Sequence, residues 1–175
     1  KSGRTYKEVD VMYFSSNRPG GVGEMDIWYS IYKNGEFEQP VNCGKKVNSI
    51  RDDITPFYDL KAKKLFFSSS YHKGLGGFDV FSCQGVFSKF KPAQNLGIPV
   101  NSSYDDTYYT FTNNSGYIVS NRPGGFALTS ESCCDDIYTI KTTKIDSSSL
   151  KVLTSTLDEE IILASLDKQN FSKAP

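Results

Sequence analysis

The residues of this 175-residue chain that could do chemistry are one histidine, four cysteines and several recurring aspartates. His72 is the only histidine, so any Ser-His-Asp or Cys-His nucleophile site would have to include it. Its setting, Tyr71-His72-Lys73-Gly74, reads as a solvent-facing turn rather than a seat for a base, and no G-x-S-x-G elbow presents a serine. The adjacent acids Asp52-Asp53 and Asp105-Asp106 could suggest the carboxylate pair that glycoside hydrolysis needs. They recur at a shift of 53 residues, whereas a reaction needs its acids once, so a structural role at the edge of a repeated unit is favoured. No D-x-D-x-D-G calcium loop accompanies them. Cys43 and Cys83 lie 40 residues apart and Cys133-Cys134 are adjacent, neither being the C-x₂₋₄-C grip of a zinc site. No metal or cofactor is expected.

Asp26, Asp79 and Asp136 share one register. Each opens an acid, β-branched, aromatic triplet: Asp26-Ile27-Trp28, Asp79-Val80-Phe81 and Asp136-Ile137-Tyr138. The first two follow Gly-rich loops directly, and a carboxylate there can accept hydrogen bonds from loop N–H groups and fix the turn that feeds the next strand. Presence in every copy favours this structural use, because repeats reuse the residues that form the unit. Arg18 and Arg122 follow asparagine in the loops Ser16-Asn17-Arg18-Pro19-Gly20 and Ser120-Asn121-Arg122-Pro123-Gly124. Each either pairs with a local carboxylate or ring, or forms an exposed contact point for a partner.

The elements that must position these residues come from an internal repeat. Phe14-Ser15-Ser16 returns as Phe67-Ser68-Ser69 and again around Val119-Ser120, so the serines recur at 53 and then 51 residues. Val47-Asn48-Ser49 returns as Val100-Asn101-Ser102. Aromatic residues make up 14% of the chain, and short aromatic runs between turn formers describe an all-β protein. Within one repeat, strands are expected over 54–58, 65–69, 78–83 and 86–90, with Asn113-Asn114-Ser115-Gly116 as the first turn of the third copy. Four short antiparallel strands per repeat is the pattern of a β-propeller blade. The expected units are an incomplete blade over 1–47, a complete blade over 48–100, a third over 101–140, and a tail over 141–175. A ring needs about four blades, so a partial or small propeller is expected.

The tail is a remnant blade or the start of a following β domain. Its favoured reading is a hairpin of 150–157 and 161–166, against a helix begun by the capping box Thr156-Leu157-Asp158-Glu159. Twenty Lys+Arg balance twenty Asp+Glu, which supplies no phosphate-tracking stripe, so nucleic acid is not an expected partner. No stretch approaches the roughly 18 apolar residues of a membrane-spanning helix. Starting at Lys1 without a Met suggests a processed or excised piece.

The run Tyr13-Phe14-Ser15-Ser16-Asn17-Arg18-Pro19-Gly20-Gly21 to Asp26-Ile27-Trp28, with its second copy through Asp79-Val80-Phe81, resembles the PD40 repeat, also described as WD40-like or TolB-like. The run Cys133-Cys134-Asp135-Asp136-Ile137-Tyr138 is similar to the last blade of OmpA-family envelope proteins of Bacteroidetes-type bacteria, a family that includes a peptidoglycan-associated lipoprotein of the type IX secretion system. The resemblance implies a non-enzymatic interaction module of a periplasmic, outer-membrane-associated protein, with envelope proteins as partners. It implies peptidoglycan binding only through a domain that has no matching residues here. In an oxidising periplasm either a vicinal Cys133–Cys134 disulfide or a bond from Cys83 to one of that pair is open. The rival reading is a glycan-binding or hydrolase propeller whose active residues lie on other blades.

Overall fold

The computed structural model describes residues 9–124, 134–142 and 169–173. Among them the chain is all β, without a helix, and every strand pairing is antiparallel. Sheet one holds β1 (Asp10–Ser16), β2 (Asp26–Lys33), β3 (Glu36–Phe37) and β4 (Val41–Asn42). Sheet two holds β5 (Asp53–Asp59), β6 (Lys64–Ser69), β7 (Asp79–Val86), β8 (Lys89–Phe90) and β9 (Gln94–Asn95). Sheet three holds β10 (Asp106–Thr112), β11 (Ser115–Ser120), β12 (Asp136–Thr142) and β13 (Gln169–Lys173).

The expected strands are present, with one change at the outer edge. In place of a single fourth strand over 86–90, two short pieces, β8 and β9, both pair with β7, and β3 and β4 pair likewise with β2. Two-residue turns set the β2–β3 and β10–β11 hairpins. Asn34-Gly35 and Asn113-Asn114 all take positive φ, the conformation whose twist matches the flanking strands. Sheet three takes its fourth strand from the tail, β13 against β12. The hairpin expected over 150–157 and 161–166 lies outside the described residues.

The run Leu65-Phe66-Phe67 does not alternate in polarity because sheet two is covered on both faces. Leu65 and Phe67 pack with Ile27, Cys43, Val47, Phe81, Cys83 and Phe90 toward sheet one. Phe66 and Val80 pack with Tyr109, Ile118, Tyr138 and Ile140 toward sheet three. Burying a Phe or Ile side chain fully is worth about 1.5–3 kcal/mol relative to exposure, so these two layers hold the three sheets in sequence.

Register then gathers polar residues at one end of every sheet. Ser16 pairs with Asp26, Ser69 with both Asp53 and Asp79, and Ser120 with both Asp106 and Asp136. The serine spacing read from the sequence is thus the spacing of one position in successive sheets.

Candidate functional site

The loops feeding β2 and β7 close on their aspartates. Asp26 is buried and accepts from the backbone N–H of Val22, from that of Gly23 at 3.1 Å, and from the Asn42 amide at 2.8 Å. Asp79, equally buried, accepts from the N–H groups of Leu75 at 2.8 Å and Gly76 at 3.0 Å. Both do what the sequence pattern implied. A side chain at Gly74 would collide with the Asp79 carboxylate, with 2.0 Å to its Oδ2, so this loop needs glycine for close approach. Asp136 opens β12 in the same register, while the loop before it lies largely outside the described residues.

The linkers between sheets are held by asparagine. Asn48 accepts from Ile27 N–H at 2.8 Å and donates to the Ile27 carbonyl at 3.0 Å and to Asn42 Oδ1 at 2.9 Å. Asn101 repeats this set on Val80 and Asn95, at 2.8, 2.9 and 2.8 Å. Each amide thus serves the strand backbone as a neighbouring strand would. The Val-Asn-Ser repetition was legible in the sequence; the role of its asparagine was not, because nothing local marks which backbone it will meet.

Three of the duplicated acids, Asp53, Asp105 and Asp106, also hold the backbone around them. Asp106 accepts from Ser102 N–H at 2.6 Å and Oγ at 2.9 Å and forms an ion pair with Arg122. Asp105 accepts from Phe78 N–H at 2.8 Å, tying sheet two to the linker before sheet three. Asp53 is fully buried and accepts from Ser49 N–H at 2.5 Å, but its Oδ1 has no hydrogen-bond partner. Burial pushes the Asp53 carboxyl above its ordinary value, against the opposing hydrogen bonds from Ser69 and Ser49.

Arg122 is therefore not an exposed contact point. Its side chain is 14% exposed, its Nη atoms reach the Pro99 and Val100 carbonyls at 3.3 and 2.7 Å as well as Asp106, and its guanidinium lies 5.4 Å from the Tyr138 ring centre. The loop folds back on its own linker because a buried carboxylate waits there. Arg18 starts the same way, with Nε donating to Ser16 Oγ at 3.1 Å as Arg122 Nε does to Ser120 Oγ. Its guanidinium then lies over Phe14 and Trp28, 4.7 and 5.4 Å from the ring centres, and meets no carboxylate among the described residues. His72 corrects its expected solvent-facing role. Its Nε2 lies 2.9 Å from the Val47 carbonyl and its ring packs 5.2 Å from Phe81, which is the Arg122 arrangement with an imidazole.

Cys83 is likewise corrected as a disulfide candidate. It is a free, fully buried thiol in the layer shared with sheet one, alongside Cys43, and its Sγ sits 3.6 Å from the Lys46 carbonyl. Burial pushes both Cys43 and Cys83 thiols up to about 12. Cys133 lies outside the described residues and Cys134 is partly exposed.

An open groove of about 590 Å³ is lined by Tyr13 and Phe14 of β1, residues 54–57 of β5 and residues 108–110 of β10. Its floor carries two backbone irregularities the sequence did not disclose. Thr55 and Tyr108 both take positive φ, 52° and 50°, where β5 and β10 shift register. Thr55 Oγ1 accepts from Tyr108 N–H at 3.3 Å, so the two bulges are joined. No group of three or more His, Cys, Asp or Glu side chains arranged to hold a metal occurs among the described residues. No protein-family model, curated protein or solved structure matches the chain.

Proposed function

We propose that the chain is a run of PD40-type propeller blades acting as a non-enzymatic interaction module. Its setting in this reading is a bacterial outer-membrane-associated, peptidoglycan-anchored envelope protein of the OmpA family that serves type IX secretion. One observation carries the reading. The groups with the composition of a catalytic site, Asp26, Asp53, Asp79, Asp106 and His72, are engaged in holding loops and linkers to their own sheets, in the same way in successive repeats. Rigid sheets of this kind present Tyr- and Arg-bearing loops at little entropic cost, which suits protein recognition. The periplasmic placement rests on the sequence resemblance, and alkylation of all four cysteines in unfolded protein without reductant, taken from its own compartment, would count against it.

The rival glycan-binding or hydrolase reading draws on the aromatic groove between Tyr13, Phe57 and Tyr109. Incubation of the purified chain with polysaccharide and peptide substrates separates the two. The module reading expects no turnover; hydrolysis abolished by changing Asp52, Asp53 or His72 would replace it with the enzyme reading.

A further inference from the structure

The linker that enters sheet two lacks the permanent cation of the linker that enters sheet three. In the latter, over residues 99–106, the Arg122 guanidinium bridges the Pro99 and Val100 carbonyls and the buried Asp106 carboxylate, which it meets at Oδ1. Over residues 46–53, which correspond at a shift of 53, one of these contacts is kept: His72 Nε2 lies 2.9 Å from the Val47 carbonyl. The Lys46 carbonyl instead accepts from the Ala93 N–H at 3.0 Å. The Oδ1 of Asp53, buried like that of Asp106, has no hydrogen-bond partner, and Asp53 makes no ion pair among the described residues.

The groups around Asp53 leave His72 as its source of positive charge. The linker contributes the Ser49 N–H, and β6 contributes Ser69. From β7 come the Cys83 thiol, kept neutral by burial, and Asp79, which stands across Ser69 with its Oδ2 engaged by the Leu75 and Gly76 N–H groups. From sheet one the Met25 carbonyl accepts the Asp53 N–H, Asp26 is held by its own loop and Glu24 is exposed; in sheet three Asp106 is paired with Arg122. Asp52 is a further acid, and Lys46, Arg51 and Lys73 are exposed. A positive His72 favours the Asp53 anion, whereas burial opposes it. A guanidinium keeps its charge at every working pH, while an imidazole gives it up close to neutrality.

We infer that residues 46–53 form a proton-operated latch. One proton held between Asp53 and His72 does there what the Arg122 guanidinium does permanently in the next repeat. As pH rises the proton leaves to solvent, a bare carboxylate stays buried beside a neutral ring, and the linker loosens from sheet two. The connection between sheets one and two thus answers to pH, while that between sheets two and three does not. This goes beyond the interaction-module reading and holds whichever partner the chain has.

The test is hydrogen exchange of the full chain read by mass spectrometry. Amide protection is corrected for the intrinsic pH dependence of exchange, and peptides covering 46–53 and 99–106 are compared within one molecule. Between about pH 5 and about pH 8, protection of 46–53 is expected to fall about tenfold while that of 99–106 holds constant. His72→Arg, which copies the next repeat, should abolish the fall. Asp53→Asn, which removes the buried charge altogether, should abolish it too. The two variants report separately, so the test stands if one fails to fold. Equal pH courses for the two linkers in the wild type, or a fall that persists in either folded variant, overturns the proposal.

Discussion

His72 Nε2 lies 2.9 Å from the Val47 carbonyl, where sheet three places Arg122 Nη2 at 2.7 Å from the Val100 carbonyl. The two linkers are equivalent, so an imidazole and a guanidinium do one job in successive repeats. The difference falls on the buried acid. Asp106 gains an ion pair from Arg122, while Asp53 keeps an unpartnered Oδ1.

Arg122→Ala should therefore destabilise the chain strongly, by about 3 kcal/mol, because it leaves the buried Asp106 carboxylate without its cation. Arg18→Ala removes only ring contacts and a serine bond and should cost about 1 kcal/mol. Urea midpoints measure both. Equal shifts would mean that the Asp106 pair contributes nothing beyond ring packing.

Asn101→Ala should cost about 1–3 kcal/mol, since it strips the linker of three hydrogen bonds and leaves the buried Val80 N–H unmet, the Val80 carbonyl keeping its bond from the Leu96 N–H. Asn48→Ala should match it. Unchanged thermal midpoints would show that the linkers are held by apolar packing alone.

Asp79→Ala should cost about 1–3 kcal/mol by freeing two loop N–H donors, and Asp26→Ala should behave alike. If chemical denaturation leaves both variants at the wild-type midpoint, this register is open to a binding role.

Asp53 gives the pH dependence a sign. Its folded-state carboxyl is raised above the unfolded value, chiefly by burial, so its neutral form is the one the fold prefers. Its contribution is complete below about pH 4 and is lost as pH rises through the raised value. Asp53→Asn should become more stable relative to wild type as pH rises from about 4 through the raised value, in a series of urea titrations. A gap that stays constant, or narrows, would show that Asp53 is comfortable as an anion.

Cys43 and Cys83 should resist alkylation at about pH 8, because burial raises both thiols to about 12 and shields them, and should react only on unfolding. Mass analysis after iodoacetamide treatment decides it. Full modification of both in the native chain would contradict their place in the shared layer.

Much of this architecture was legible in the chain. The recurrence of Ser16, Ser69 and Ser120, with an acid a fixed loop later in the first two copies, locates the strand ends and the loop-closing role of Asp26 and Asp79. Asn113-Asn114 marks a turn through its tolerance of positive φ. The long-range partners were hidden, because Arg122 reaches back 16 residues to Asp106 and His72 reaches 25 to Val47. A turn-like local sequence says nothing of a linker that folding brings beside it. The same holds for Cys83, whose burial follows from sheet two being covered on its sheet-one face.

The interaction-module account is tested most directly by quantitative capture of solubilised envelope proteins on the immobilised chain, comparing wild type with Arg18→Ala and identifying what is retained by mass spectrometry. The account predicts one protein held in saturable, stoichiometric amount by wild type and lost from Arg18→Ala more than stability is lost. Retention of glycan in place of protein, with release of cleaved fragments, would contradict it.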